Sequence, residues 1–73
     1  MTAIDERTAL AQATEAAGWH RREVERVDVY LRGMSRVRVI WQGNDAISGG
    51  SRFQDDLLEQ YTRDLSTIKG WLK

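Results

Sequence analysis

No cysteine occurs among the 73 residues, so neither a disulfide framework nor a thiolate metal site can supplement the core. Histidine occurs once, as His20; with Glu23 three residues on it is at most half of a helical metal site, and no second ligand of its kind exists. No apolar run approaches the ~20 residues a membrane span requires, and the first residues carry acids where a secretory signal carries base followed by an apolar stretch. A soluble, cytoplasmic protein is the expectation. Net charge is missing too: 11 basic residues balance 11 acidic ones, so no global field draws the chain onto nucleic acid or an anionic membrane.

What is present must fold as one small domain, residues 1–73, that buries only about 60% of its unfolded surface. Trp19, Trp41 and Trp71 therefore carry weight, since each can bury on the order of 200 Å². They read as core anchors, the alternative being an aromatic ligand cage. Charge is also unevenly spread. Residues 20–41 hold six arginines against Glu23, Glu25 and Asp28, a net of +3, whereas residues 1–19 come to −2 and residues 42–73 to −1.

The stretch from Glu23 to Gln42 alternates with a period of two on either side of Arg32-Gly33-Met34-Ser35, the pattern of an antiparallel hairpin. Strands of about Val24 to Leu31 and Arg36 to Gln42 follow, with Val27, Val29, Leu31, Val37, Val39 and Trp41 as the expected core face. Before them, Thr2 to Ala17 reads as a helix capped by Thr2, with Asp5 and Glu6 in its first turn and an apolar stripe of Ala3, Leu10, Ala13 and Ala17. Gly18 is the expected left-handed residue after it, with Trp19 folded back on the last turn. His20-Arg21-Arg22 is a polar connector into the first strand.

After the turn Gly43-Asn44-Asp45, Ala46 to Phe53 is the expected third strand. Gly49-Gly50 within it points to a bulge or a close approach by another backbone. Leu57 or Leu58, Tyr61, Leu65, Ile68 and Leu72 recur every three or four residues, the face of a C-terminal helix that begins anywhere from Ser51 to Thr62. Gly70 near its end costs up to about 1 kcal/mol against alanine. The expected fold is α+β: a two-layer α-β-β-β-α arrangement with an antiparallel sheet, both helices on one face and the other face open.

On that open face the sequence places Arg26, Asp28, Tyr30 and Arg32 from the first strand, and Arg36, Arg38, Ile40 and Gln42 from the second. Tyr30 and Ile40 are apolar enough to centre an interface rimmed by charge, and the expected function is a non-enzymatic interaction module, a homo-oligomer that binds itself or a protein partner through the open face or an exposed strand edge. Arginines interleaved with tyrosine also suit phosphate contact and base stacking, so weak nucleic-acid binding is the alternative; a solvated face of cross-strand ion pairs is the plainest reading. No catalytic residues, cofactor or metal are expected. Asp55-Asp56 are sequence neighbours that would point about 100° apart on a helix and suit its first turn. Ser48-Gly49-Gly50-Ser51 has neither a phosphate-loop lysine nor a base for a serine nucleophile.

The α-β-β-β-α order resembles the double-stranded-RNA-binding domain in topology. That resemblance implies helices on one sheet face, and RNA contact through the first helix, the loop between the first two strands and lysines opening the second helix. Here Asp55 and Asp56 stand where those lysines would be, and carboxylates repel phosphate. The stretches VDVYLRG, VRVIWQGNDAISGGSRF and YTRDLSTIKGWLK look like small proteins encoded by actinobacteria and their phages, a likeness that implies a source and no chemistry.

Overall fold

Asp5 opens the first helix. Its carboxylate accepts from the Thr8 amide at 2.7 Å, and α1 runs Glu6–Ala16. The computed structural model describes residues 4–73; the Thr2 cap and Ala3 lie outside them, and the cap that forms is Asp5 instead. At the far end the Trp19 amide donates to the Thr14 carbonyl and the Gly18 amide to that of Glu15, with Gly18 at φ +90°. These two bonds make a Schellman ending, and they turn Trp19 back into the core.

Five strands follow, joined as a meander: β1 (His20–Val24), β2 (Val27–Arg32), β3 (Ser35–Gln42), β4 (Ala46–Gln54) and β5 (Leu57–Thr62), antiparallel throughout and in chain order across the sheet. The last helix is α2 (Leu65–Trp71), capped by Asp64. The fold is thus a small α+β domain, with two strands more than the sequence suggests. His20-Arg21-Arg22 belongs to a strand because a two-residue turn, Glu25-Arg26, folds it onto β2. Its high charge suits a sheet edge, where it discourages pairing with another chain. Leu57 to Thr62 is a strand because Asp55 and Asp56, at φ +52° and +64°, form a tight turn after Gln54. Both central residues left-handed is the type I′ pattern, whose twist matches a hairpin and not a helix start. The helical spacing is genuine only in Leu65, Ile68 and Leu72.

The central hairpin differs from expectation in register. Arg32 pairs with Ser35, leaving the two-residue turn Gly33-Met34 with Gly33 at φ +61°. Paired residues share a face, so Tyr30 sits beside Val37 and Asp28 beside Val39, while Val27, Val29 and Leu31 pair with Ile40, Arg38 and Arg36. The odd-numbered valines of the two strands therefore lie on opposite faces. Asp28 and Tyr30, expected on the open face, are completely buried under the helices. The core is Leu10, Trp19, Tyr30, Val37, Val39, Trp41, Ile68 and Leu72, with Ala17, Ile47, Leu65 and Trp71 packed against it.

Gly49-Gly50 serves both faces. A methyl group at Gly50 would collide with the Ile68 side chain of α2, and one at Gly49 with the Tyr61 ring of β5. Of the two alternatives read from the sequence, a bulge does fall beside the pair, where Ser48 is left over between the Ile40–Gly49 and Trp41–Ile47 pairs, and the closest approaches to the glycines are by side chains, one from each side, rather than by another backbone. Among the described residues, no helix is long and apolar enough to cross a membrane.

Candidate interaction surface

Strand alternation and the pairing registers lay out the face away from the helices as three cross-strand rows. The first reads His20, Leu31, Arg36, Phe53, Leu58 from β1 to β5; the second Arg22, Val29, Arg38, Ser51, Tyr61; the third Val24, Val27, Ile40, Gly49. Two shallow depressions confirm the grouping, one lined by Arg22, Val24, Val29, Leu31 and Arg36, the other by Val29, Arg36, Arg38 and Phe53. Nothing among the described residues covers these rows. Val24, Leu58 and Tyr61 are 63%, 60% and 58% exposed, and Val27, Val29, Leu31, Ile40 and Phe53 are half-buried only by their neighbours in the sheet.

All the charge in the rows is of one sign. Arg22, Arg36 and Arg38 occupy them, and no aspartate or glutamate does. Arg36 reaches Asp56 in the β4–β5 turn at 3.4 Å and lies over the Phe53 ring, 4.4 Å from its centre. Among the described residues, Arg22 and Arg38 have no carboxylate within ion-pair distance. Glu59, the bulged residue of β5, pairs instead with Arg52, whose side chain is on the helix side. In a chain of zero net charge the acids have been drawn to the helix side, the turns and the sheet margins.

Of the eight residues picked from the sequence, Arg36, Arg38 and Ile40 stand in the rows and Gln42 lies just past the third, opposite Ala46. Arg26 is an exposed turn residue whose carbonyl accepts from the Trp41 amide at 2.8 Å. Arg32 lies toward the helices. It donates to the Ala17 and Lys73 carbonyls and stacks 4.4 Å from the Trp19 ring centre, so one side chain serves the ends of both helices. Sequence reasoning missed Arg22, Val24, Val27, Val29, Leu31, Phe53, Leu58 and Tyr61. The length of the Gly33-Met34 turn would have found Val27, Val29 and Leu31; Arg22 and Val24 depend on the turn at Glu25-Arg26, and Leu58 and Tyr61 on that at Asp55-Asp56.

Asp28 and Tyr30 belong to a buried polar cluster instead. Arg7 donates from Nε to Asp28 Oδ2 at 3.0 Å and from Nη2 to Oδ1 at 2.9 Å, and Arg21 Nη2 stands 3.1 Å from the same Oδ1. Arg7 also donates to the Glu25 carbonyl, and its amide to that of Asn44. One residue thus ties α1 to two turns of the sheet. The hydrogen bond to Asp28 raises the Arg7 guanidinium above its ordinary range, against the effect of burial. Burial, helped by the Asp28 carboxylate, pushes the Tyr30 hydroxyl up to about 12. Asp28 and Tyr30 are sealed from solvent, while Arg7, Arg21 and Glu23 reach the surface around them; complementary charge makes the cluster a structural clamp between α1 and the sheet. His20 and Glu23 point to opposite faces of β1, His20 being in the first row and Glu23 beside Asp28.

No known protein family matches this chain, and neither a curated protein nor a solved structure shows significant similarity to it.

Proposed function

We propose that this protein is a non-enzymatic interaction module of the cytoplasm that receives a protein partner on its bare sheet face. One observation carries the reading: eight apolar side chains, Val24, Val27, Val29, Leu31, Ile40, Phe53, Leu58 and Tyr61, share a face with three arginines and are covered by nothing among the described residues. A continuous apolar surface edged by cations has the composition of a contact surface, in which apolar area supplies affinity and arginine supplies orientation. Chemistry has less support, because among the described residues the buried carboxylate, Asp28, is engaged by Arg7 and Arg21 in holding α1 to the sheet.

The test is site-specific photocrosslinking in an extract of the native host, with a photoreactive phenylalanine analogue at Val29 in one sample and at Gln12, exposed on α1, in another. Adducts to another protein from position 29 and none from position 12 are expected. Adducts from neither position, or equally from both, would contradict the reading.

Nucleic acid is the second reading, favoured by the three arginines alone. Phosphate binding would show affinity falling steeply with salt and a shallower slope when Arg38 becomes alanine.

A further inference from the structure

From the charge of the bare face we infer the chemistry of its occupant: an extended, acidic protein segment that turns carboxylates and an apolar side chain to the same side, at successive alternate positions. The inference rests on the proposed interaction role of this face and adds what the face selects.

Every ionised group in the rows is cationic. Arg36 and Arg38 are two apart on β3, which sets their attachment points roughly 7 Å apart, and Arg22 is two strands from Arg38, roughly 10 Å away. Between them lie Val29 and Leu31, so the cations stand around aliphatic ground. An extended segment carrying carboxylates two residues apart matches the Arg36 to Arg38 spacing. The next side chain on the same side of such a segment, when apolar, would meet Ile40, which follows Arg36 and Arg38 at the same two-residue spacing. Arginine forks hold carboxylates bidentately, and desolvation by the surrounding aliphatic groups strengthens the pairs.

The same charges argue against the other occupants. A second copy meeting this face symmetrically would bring six arginines together with no carboxylate among them, a like-charge juxtaposition that an interface does not tolerate. A single strand of nucleic acid would want open aromatic faces for its bases. The face is mainly aliphatic: of its two rings Phe53 lies beneath Arg36, and only Tyr61, set across Gly49, keeps an open side. Three arginines also make a small phosphate footprint.

The experiment uses the full chain and three labelled probes in fluorescence anisotropy: a short peptide Glu-Ser-Glu-Ser-Leu, which sets both glutamates and the leucine on one side when extended, its counterpart with lysine for glutamate, and oligothymidylate. The glutamate peptide should bind about tenfold or more tighter than the lysine peptide and weaken as salt rises. In the variant Arg22→Glu/Arg38→Glu the preference should reverse; both positions are exposed, and circular dichroism checks that the variant folds. Equal binding of both peptides, no binding of the glutamate peptide at millimolar concentration, tighter binding of oligothymidylate, or self-association that Val29→Lys abolishes would each overturn the inference. Crosslinks from position 29 without a charge preference would overturn the acidic occupant alone; no crosslinks from position 29 would overturn the interaction role itself.

Discussion

Arg7 of α1 grips the carboxylate of Asp28 in β2 with two hydrogen bonds of 2.9 and 3.0 Å, across a sequence separation of 21 residues. The bond fixes which side of β2 faces the helices. A carboxylate buried completely is tolerable only with a cation and hydrogen bonds in place, and Arg7 supplies both. Arg21 and Glu23 complete the neighbourhood, with Arg21 bonded to Glu23 at 2.7 Å.

Removing one member of the pair should therefore cost more than removing both. Arg7→Met leaves the buried Asp28 carboxylate with Arg21 alone and without its two hydrogen bonds from α1, and should destabilise the fold by up to about 3–5 kcal/mol, whereas Arg7→Met with Asp28→Leu should recover most of that loss. Urea denaturation of the single and double variants measures the difference. A double variant no more stable than the single would contradict the account.

Tyr30 gives the protein an alkaline limit. Its hydroxyl is protonated up to about 12 in the folded state and loses its proton near 10 in the unfolded chain. Between those values the folded state binds the extra proton, so this contribution is complete below pH 10 and is lost as pH rises toward 12. The hydroxyl is buried without a hydrogen-bond partner among the protein groups. Tyr30→Phe should then match or exceed the wild type in stability at neutral pH, and melt with a flatter dependence between pH 10 and 12. Parallel slopes for the two proteins would contradict the placement of Tyr30.

Gly50 and Gly49 should differ in their tolerance of a methyl group. At Gly50 the methyl meets Ile68, fully buried between α2 and the sheet, and the overpacking should cost about 1–3 kcal/mol. At Gly49 it meets Tyr61, an exposed side chain that can swing away, so Gly49→Ala should cost less. Adding Ile68→Val should return part of the stability of Gly50→Ala and do nothing for Gly49→Ala, as thermal melts of the four proteins would show.

The β4–β5 turn holds two aspartates in the left-handed region where glycine is favoured. Asp56→Gly should stabilise by about 0.5–1 kcal/mol, because the ion pair it sacrifices with Arg36 is solvent-screened. A loss of stability would mean that the pair matters more than the backbone strain.

The sequence made some of this plain. Gly18 and Trp19 announce the end of α1, and Val37, Val39 and Trp41 announce the buried side of β3, because each signal is local. The rest depends on contacts that no window of sequence contains. Glu23 to Gln42 alternates equally well with either parity on β2, and valines at 27 and 29 beside valines at 37 and 39 invite pairing them on one face. A loop of two residues makes that impossible, and what selects it is the distant partner Arg7. Leu57, Leu58 and Tyr61 carry helical spacing that merges with Leu65, Ile68 and Leu72, so only the backbone of Asp55-Asp56 separates strand from helix. The arginines at 36 and 38 were visible as surface groups; their aliphatic setting was hidden by the same shift of one residue.

Because the chain has no cysteine, single Val→Cys substitutions can read that shift directly. Val29→Cys, on the bare face, should react with a thiol reagent at a rate near that of Val24→Cys, and Val37→Cys, fully buried, only as fast as the domain unfolds. Protection of position 29 equal to that of position 37 would place the β2 valines under the helices and contradict the face on which the function is proposed.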